Sequence, residues 1–516
     1  MDYIIAYDLG TGGTKASLFK ADGEASASYF APCSTYYPEK DFREQKPEEW
    51  WDMVVQSTRG LLDKSDINSA DIRAVAVSGH SLGVVPMSGN GELLLESVPI
   101  WSDARAGVQA ANFFKNIDEK QWYLKTGNGF PAALYSIFKI LWYRDNMPDV
   151  YSRSAKFIGT KDYINFRMTG VMATDFSYAS GSGVYDLKGW KYDEDLLRAS
   201  GVEKGKMPEI LSSTEVIGEI TCNAAKDLGL PQGIKVVCGG VDNACMAAGA
   251  GCIENGKAYT SLGTSSWIAV SSDVPIVDNE KRPYVFTHIV PGQFVSATAI
   301  FSAGNSYRWV RDTLCRNLLE AEARGEGNAY ELMNALAAKS PLGANKLIFN
   351  PSLAGGSSLD DSVNIRGTFA GLDLAHSQAD IIRAALEGIS LNLRIAMDVL
   401  ASYTRLSDDM LLVGGGGKSP FWRQLFADIY NKNITESRVG EDAGSLGAAA
   451  AAAVGAGLWK DFSPLVKINQ RTGGVSPNAG RAAEYEKILA VFIEVARRQS
   501  EIGDLLHGIG LNAGKC

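Results

Sequence analysis

Five hundred and sixteen residues, set against the roughly 150 of an ordinary domain, make two large domains or three of usual size and leave ample chain to bury a core. Lys and Arg total 50 against 59 Asp and Glu, a formal charge of −9 without a basic block. This excludes a nucleic-acid footprint, so any bound phosphate must be held by local groups. The seven cysteines, Cys33, Cys222, Cys238, Cys245, Cys252, Cys315 and Cys516, are odd in number and form no CxxC; they fit neither a disulfide framework nor a zinc site and read as free, buried thiols.

The chain opens on Met1-Asp2-Tyr3-Ile4-Ile5, which lacks the basic n-region and long apolar stretch of a signal peptide. Residues 3–7 predict a strand, 8–13 (Asp-Leu-Gly-Thr-Gly-Gly) a loop, and 15–19 a second strand that turns at Asp22-Gly23. Helical patterns over 47–62, 379–403 and 420–430 alternate with apolar runs at 72–77, 235–238 and 410–413, which predicts mixed α/β layers. Residues 68–71, 204–208 and 324–328 read as polar surface loops. The opening hairpin returns as a strand over 257–261, a loop at 262–266 and a strand over 267–270. Leu-Gly-Thr stands at 9–11 and again at 262–264, so two related lobes are expected, divided near 250–256 and taken as 1–252 and 253–516. The longest apolar tract, 448–459, contains Gly455 and Gly457 and is too short to cross a bilayer. A soluble, cytoplasmic protein with no membrane partner is expected.

Three familiar motifs are nearly present. The run Gly10-x-Gly12-x-x reaches Lys15 where the dinucleotide fingerprint needs glycine, and it leads into a strand. Gly417-Lys418-Ser419 looks like the end of a Walker A loop, yet the glycine needed five positions earlier is Leu412. Gly79-His80-Ser81-Leu82-Gly83 satisfies G-x-S-x-G after the apolar run 75–77. A nucleophile elbow must feed a helix, whereas 84–87 and the Asn90-Gly91 turn read as strand and hairpin. An α/β-hydrolase using Ser81 is therefore the lesser alternative.

The glycine loops suit phosphate better. Backbone N–H groups in a tight turn point at phosphate oxygens where no Cβ blocks approach, and the hydroxyls of Thr11 and Thr264 add further donors. Lys15 supplies a cation, and Asp8 at the end of the first strand is placed to hold a hydrated Mg²⁺, which needs only one or two carboxylates. A third loop, Gly414-Gly415-Gly416-Gly417, lies between the strand at 410–413 and the helix from Pro420, where a positive helix end suits a nucleotide.

These residues resemble the FGGY carbohydrate kinases, of the actin, hexokinase and heat-shock ATPase fold. Asp8-Leu9-Gly10-Thr11-Gly12-Gly13-Thr14-Lys15 is similar to the family's first phosphate motif, Gly263-Thr264-Ser265-Ser266 to its second, and Gly415-Gly416-Gly417-Lys418-Ser419 to its adenosine motif. Gly367-Thr368-Phe369-Ala370-Gly371-Leu372, with Asp380-Ile381 and Ala384-Ala385-Leu386-Glu387, fits the C-terminal signature. Lys139-Ile140-Leu141-Trp142 fits the N-terminal one in part, Leu134 and Tyr143 departing. The resemblance implies two ribonuclease-H-like, actin-like ATPase lobes with a deep cleft, ATP and Mg²⁺ as cofactors, and Gly304 among the nucleotide-binding residues. It also implies Asp242, in Gly239-Gly240-Val241-Asp242-Asn243, as catalytic base and, with Asp8, metal-binding group. From the residues alone Asp242 reads as a helix cap.

Within the family, Trp50-Trp51, Trp101-Ser102-Asp103-Ala104-Arg105, Thr160-Lys161-Asp162-Tyr163 and Arg167-Met168-Thr169-Gly170 look closest to the xylulokinase branch. His80, Ser81, Trp101, Asp103, Asp242 and Asn243 are then the expected sugar contacts, with Trp101 stacking on the sugar and Asp103 accepting its hydroxyls. Where that branch carries Gln-Met-His after the glycine, this chain reads His80-Ser81-Leu82. A changed hydrogen-bonding set shifts substrate preference strongly. The expected activity is ATP-dependent phosphorylation of a small sugar, a pentulose such as xylulose first and ribulose, erythritol or glycerol as alternatives. An actin-like ATPase switch on a protein partner is a rival on fold analogy alone. A homodimer is compatible with this reading, although no sequence pattern reports an interface.

Overall fold

Residues 3–7, Tyr-Ile-Ile-Ala-Tyr, have no polar alternation, as expected of a strand covered on both faces. In the computed structural model, which describes residues 1–436, 439, 442–469 and 472–509, they form most of strand β1 (Tyr3–Gly10). The turn Thr11-Gly12 joins β1 to antiparallel β2 (Gly13–Lys20), with Gly10 opposite Gly13, and β3 (Ala25–Pro32) follows as the sheet edge. β4 (Ile72–Gly79) lies parallel to β1 on its other side. Next come β5 (Val216–Glu219) and β6 (Lys235–Val241), giving the order β5-β6-β4-β1-β2-β3. β1, β4 and β6 are mutually parallel, so Asp8, Ser78 and Gly240 stand in register near their carboxyl ends. In open α/β sheets that edge is where ligands bind.

Helix Pro47–Lys64 starts on proline at its first turn and has Glu48 and Glu49 at its positive end and Lys64 at its negative end. It buries Trp50, Trp51, Val54, Thr58 and Leu61 on one face, and Thr58 Oγ1 meets Tyr7 OH at 2.8 Å. The apolar tract noted in the sequence becomes helix Ala443–Gly455, buried beneath the same sheet. It packs on helix Asp242–Gly249 at a distance that only small residues permit: a Cβ at Gly447 would lie 1.9 Å from the Cys245 carbonyl oxygen.

The chain divides into two compact units, residues 1–255, 271–296 and 441–470 in the first, and 256–270, 297–440 and 471–516 in the second. The first run ends at Asn255, close to the expected boundary after 252, but two later segments return to the first unit. The compact units are therefore interleaved rather than consecutive.

The second unit repeats the opening arrangement. β7 (Ala258–Leu262) turns into antiparallel β8 (Ser266–Ser272), with Leu262 opposite Ser266. After β9 (Phe294–Ile300), strand β10 (Asp409–Val413) pairs parallel with β7, and β11 (Asn433–Glu436) and β12 (Thr472–Val475) give the run β9-β8-β7-β10-β11-β12 within a seven-stranded sheet. A hairpin flanked by a parallel strand on its first-strand side thus occurs twice, as the repeated Leu-Gly-Thr implies. The C-terminal signature is structural here: Glu387, buried in helix Gln378–Ala401, pairs with Arg383 at 2.7 Å and accepts from Tyr485 OH at 2.7 Å. Six cysteines are free thiols, four of them buried, Cys33 half-buried and Cys222 exposed; Cys516 lies outside the described residues. Among the described residues no helix is long and apolar enough to cross a membrane.

Candidate active site

In the first unit the carboxyl ends of β1, β4 and β6 gather an acidic centre. Asp8 accepts a hydrogen bond from Ser78 Oγ at 2.9 Å. Its carboxyl is pushed above the usual range by burial and by the charge of Asp442, against the Ser78 hydrogen bond and the Lys15 ammonium. Lys15 itself pairs with Asp442, so the cation predicted for phosphate already has an anionic partner inside the unit. Gly444 lies directly over the carboxylate, where a Cβ would be 3.1 Å from Asp8 Oδ2.

Asp242 begins helix Asp242–Gly249, whose cap is Val241. The residue is therefore in the first helical turn and not a side-chain cap: its Oδ1 accepts only from the Asn243 backbone N–H at 2.8 Å and Asn243 Nδ2 at 3.1 Å. Burial, then the negative charge of Asp8, raise its pKa to about 7. The carboxyl ends of β1 and β6 thus carry carboxylates that repel each other, an arrangement costly to the fold and typical of functional sites.

Around this centre the other expected residues fall into two groups. Thr11, in the β1–β2 turn, accepts from Trp101 Nε1 at 2.9 Å, and the Trp101 ring remains 37% exposed. Gly10 and Gly12 leave open backbone at the turn, Gly13 abuts β3, and Thr14 is buried with Oγ1 unpartnered. By contrast Asp103 is 0% exposed, and its two oxygens accept four hydrogen bonds, from Arg43 N and from Arg105 N, Nε and Nη2. No capacity is left for a sugar hydroxyl, so its role is to fix the Trp101 loop.

The G-x-S-x-G segment follows β4 but enters no helix; strand Val85–Met87 comes next, and Leu82 has φ 62°. His80 does not reach the Ser81 hydroxyl. Its ring packs edge-on against Trp50 with centroids 5.7 Å apart, and burial, with the Lys139 charge, pushes its pKa down to about 4. With neither ring nitrogen of His80 hydrogen-bonded to the Ser81 hydroxyl, the hydrolase alternative lacks its second group.

In the second unit a cavity of about 810 Å³ opens between the β7–β8 turn, helix Gly304–Leu314 and the glycine loop after β10. Gly263, Thr264, Gly304, Gly415, Gly416 and Ser419 all line it. The Gly304 N–H donates to the Gly263 carbonyl at 3.0 Å and the Asn305 N–H to the Thr264 carbonyl at 3.1 Å, which ties the turn to the helix start. Ser265 closes the turn by accepting from the Gly263 N–H at 3.2 Å, and Gly417 is bonded back to Gly414 at 3.0 Å. The Ser419 hydroxyl caps helix Pro420–Tyr430 by accepting from the Trp422 N–H at 3.3 Å. Tyr307, stacked near Tyr330 and Trp422, forms an aromatic wall that no glycine motif announced.

Gly304 admits a direct test. A Cβ there would lie 2.3 Å from the Gly263 carbonyl oxygen. Gly304→Ala is therefore expected to displace the β7–β8 turn and weaken ADP binding by about tenfold or more, as loss of 1.4 kcal/mol implies. Calorimetric titration with ADP checks this; unchanged ADP affinity would separate the turn from the nucleotide.

The chain belongs to the FGGY family of carbohydrate kinases: the family's N-terminal domain matches residues 3–249 and its C-terminal domain residues 258–456. It is an enzyme that phosphorylates a sugar with ATP, built on the actin-like ATPase fold. Among its relatives, the xylulose kinase of Lactococcus lactis subsp. lactis (strain IL1403) is 29% identical over 98% of this chain and 99% of that protein. The ligand-bound xylulose kinase of Lactobacillus acidophilus superposes with a TM-score of 0.88 at 28% identity, covering 98% of this chain and 100% of the other. The gluconate kinase of Lactobacillus acidophilus matches with the same TM-score of 0.88 and 28% identity, over 98% and 99%.

Proposed function

We propose that this kinase transfers the γ-phosphoryl group of ATP to a hydroxyl of a pentulose, xylulose foremost, with Asp242 as general base. The observation that carries the reading is the carboxylate pair, in which burial and the Asp8 charge bring Asp242 to about 7. Such a base is substantially ionised at physiological pH yet basic enough to take a hydroxyl proton. Phosphoryl transfer through a loose transition state asks mainly for alignment and charge stabilisation.

The remaining assignments follow the chemistry of each group. Two mutually repelling carboxylates fit one Mg²⁺, which keeps most of its waters and needs one or two such ligands; bound by Asp8 and Asp242, the ion would neutralise phosphate charge. Open backbone at Gly10 and Gly12, with Thr11, Gly13, Thr14 and Lys15 of the same hairpin, is assigned to phosphate. The cavity of the second unit is assigned to the nucleotide, with Gly263, Thr264 and Gly304 at its phosphates and Gly415, Gly416 and Ser419 at adenosine, while Ser265 and Gly417, which do not line it, are assigned to shaping the two turns. Ser81, Trp101 and Asn243 are assigned to the sugar, and a cytoplasmic location fits an ATP-using enzyme with free thiols.

A second reading, another ketose or a polyol or sugar acid, is supported by the His80-Ser81-Leu82 segment, whose imidazole and Leu82 side chain are both buried. A coupled ADP-release assay over D-xylulose, D-ribulose, gluconate, erythritol and glycerol decides between them. The expected result is the highest kcat/KM on D-xylulose, by about tenfold or more over the others, the scale set by one well-used polar contact. Preference for another member selects the second reading. ADP release at the same rate without any sugar overturns both and leaves an ATPase switch.

A further inference from the structure

Lys139 lies on helix Ser136–Asn146 and is 0% exposed. Among the described residues its ammonium forms no ion pair, and the Asp103 carboxylate, whose charge acts on it, accepts its hydrogen bonds from Arg105 and the Arg43 backbone. A buried, unpaired cation is costly to the fold, and a leucine or methionine would fill the same core position without that cost. What the ammonium does instead is donate to two backbone carbonyls, Leu82 O at 3.0 Å and Ile100 O at 2.7 Å.

Those carbonyls belong to the two loops assigned to the sugar. Leu82 follows Ser81 and holds φ at 62°, a left-handed conformation unfavourable for a branched side chain. Neighbouring bonds pin the same loop: Thr160 Oγ1 donates to the His80 carbonyl at 2.6 Å and Tyr178 OH to the Gly83 carbonyl at 3.2 Å. Ile100 immediately precedes Trp101, whose indole reaches Thr11. We infer that Lys139 is a positioning residue for sugar specificity, one ammonium clamping the Ser81 loop to the Trp101 loop and so fixing the width between a hydroxyl donor and an aromatic face. Burial, aided by the Arg105 charge and opposed by Asp103, lowers its pKa to about 7, and the neutral amine present near that pH still carries two N–H donors, one for each carbonyl.

The inference rests on the sugar assignment proposed above, so the test starts from sugar-stimulated turnover of the wild type; without it the functional reading fails, and this one is not reached. With it, Lys139→Met, which keeps the volume and removes both donors, is expected to raise the sugar KM about 10- to 100-fold, the scale of two ordinary hydrogen bonds. The ATP KM should hold, kcat should change far less than the sugar KM, and the melting temperature should hold or rise as the buried charge disappears. Lys139→Gln, which retains two N–H donors on a shorter arm, should give an intermediate sugar KM. The ranking of D-xylulose over D-ribulose and gluconate should flatten in the same order. Parallel loss of sugar and ATP kinetics, or a sugar KM within about twofold of wild type in whichever variant folds, overturns it.

Discussion

Asp242→Asn is expected to lower kcat for sugar phosphorylation by about 10²- to 10⁴-fold, the usual contribution of a positioned general base, while ATP binding persists. Asparagine keeps the Oδ1 acceptor that receives Asn243 N and Nδ2 and removes only the charge and the basicity. The wild-type pH profile should reflect the same group: kcat/KM should climb with pH as the carboxyl ionises, at a pH below the metal-free value of about 7 that burial and Asp8 set, because Mg²⁺ held by the two carboxylates favours their charged forms. Stability carries the opposite sign. A carboxyl whose pKa is higher folded than unfolded binds its proton more tightly in the fold, so its ionisation weakens the fold as pH rises from about 4 towards 7. The asparagine variant should therefore melt a few degrees above wild type at pH 8 and no higher than wild type at pH 4. Coupled ADP release, calorimetric ATP titration and thermal melts at the two pH values check all three expectations. Retained turnover in the variant would falsify Asp242 as the base.

How much of this was legible beforehand depends on the range of the interaction. The two glycine hairpins were readable because a turn, its flanking β-rich runs and their repeat at 262–264 are local signals. The helix from Pro420 and the strands 72–79 and 410–413 likewise follow from nearby composition. Asp8 was readable as a strand-end carboxylate, but its coupling to Asp242 required β1 and β6 to flank β4, through the long-range pairings of Asp8 and of Gly240 with Ser78. The same limit hid Asp442, which brings its charge to Lys15 and Asp8 from a segment that returns to the first unit. Asp103 was misread as a sugar acceptor because nothing local announces Arg43, sixty positions earlier, as one of its donors. Tyr307 and Tyr330 were overlooked for a different reason: aromatic residues on amphipathic helices look alike whether they fill a core or wall a nucleotide cavity.

Lys161→Met should produce the largest loss of stability among single substitutions considered, about 3–5 kcal/mol, since it strips the cation from two buried carboxylates. Lys161 Nζ lies 2.6 Å from Asp162 Oδ1 and 3.0 Å from Asp175 Oδ1, and all three side chains are 0% exposed. The network reaches Asp242 through short links. Asp175 Oδ2 accepts from Ser177 Oγ at 2.5 Å and from Ser213 Oγ at 2.8 Å, and Ser177 Oγ accepts from the Val241 N–H at 2.9 Å, one residue before Asp242. Lys161 Nζ also donates to the Cys238 carbonyl at 3.3 Å, so the last turn of β6 is held from both sides. Removing the cation should therefore loosen the strand end that carries the base, and kcat should fall along with the melting temperature. Lys161→Met combined with Asp162→Asn removes one orphaned charge and should regain part of the stability, a non-additivity expected of groups in direct contact. Urea unfolding with calorimetry on the single and double variants measures it. A single variant that unfolds within about 1 kcal/mol of wild type, the level of an exposed ion pair, would mean that the triad contributes no more than a surface bridge and that the strand end is held by packing instead.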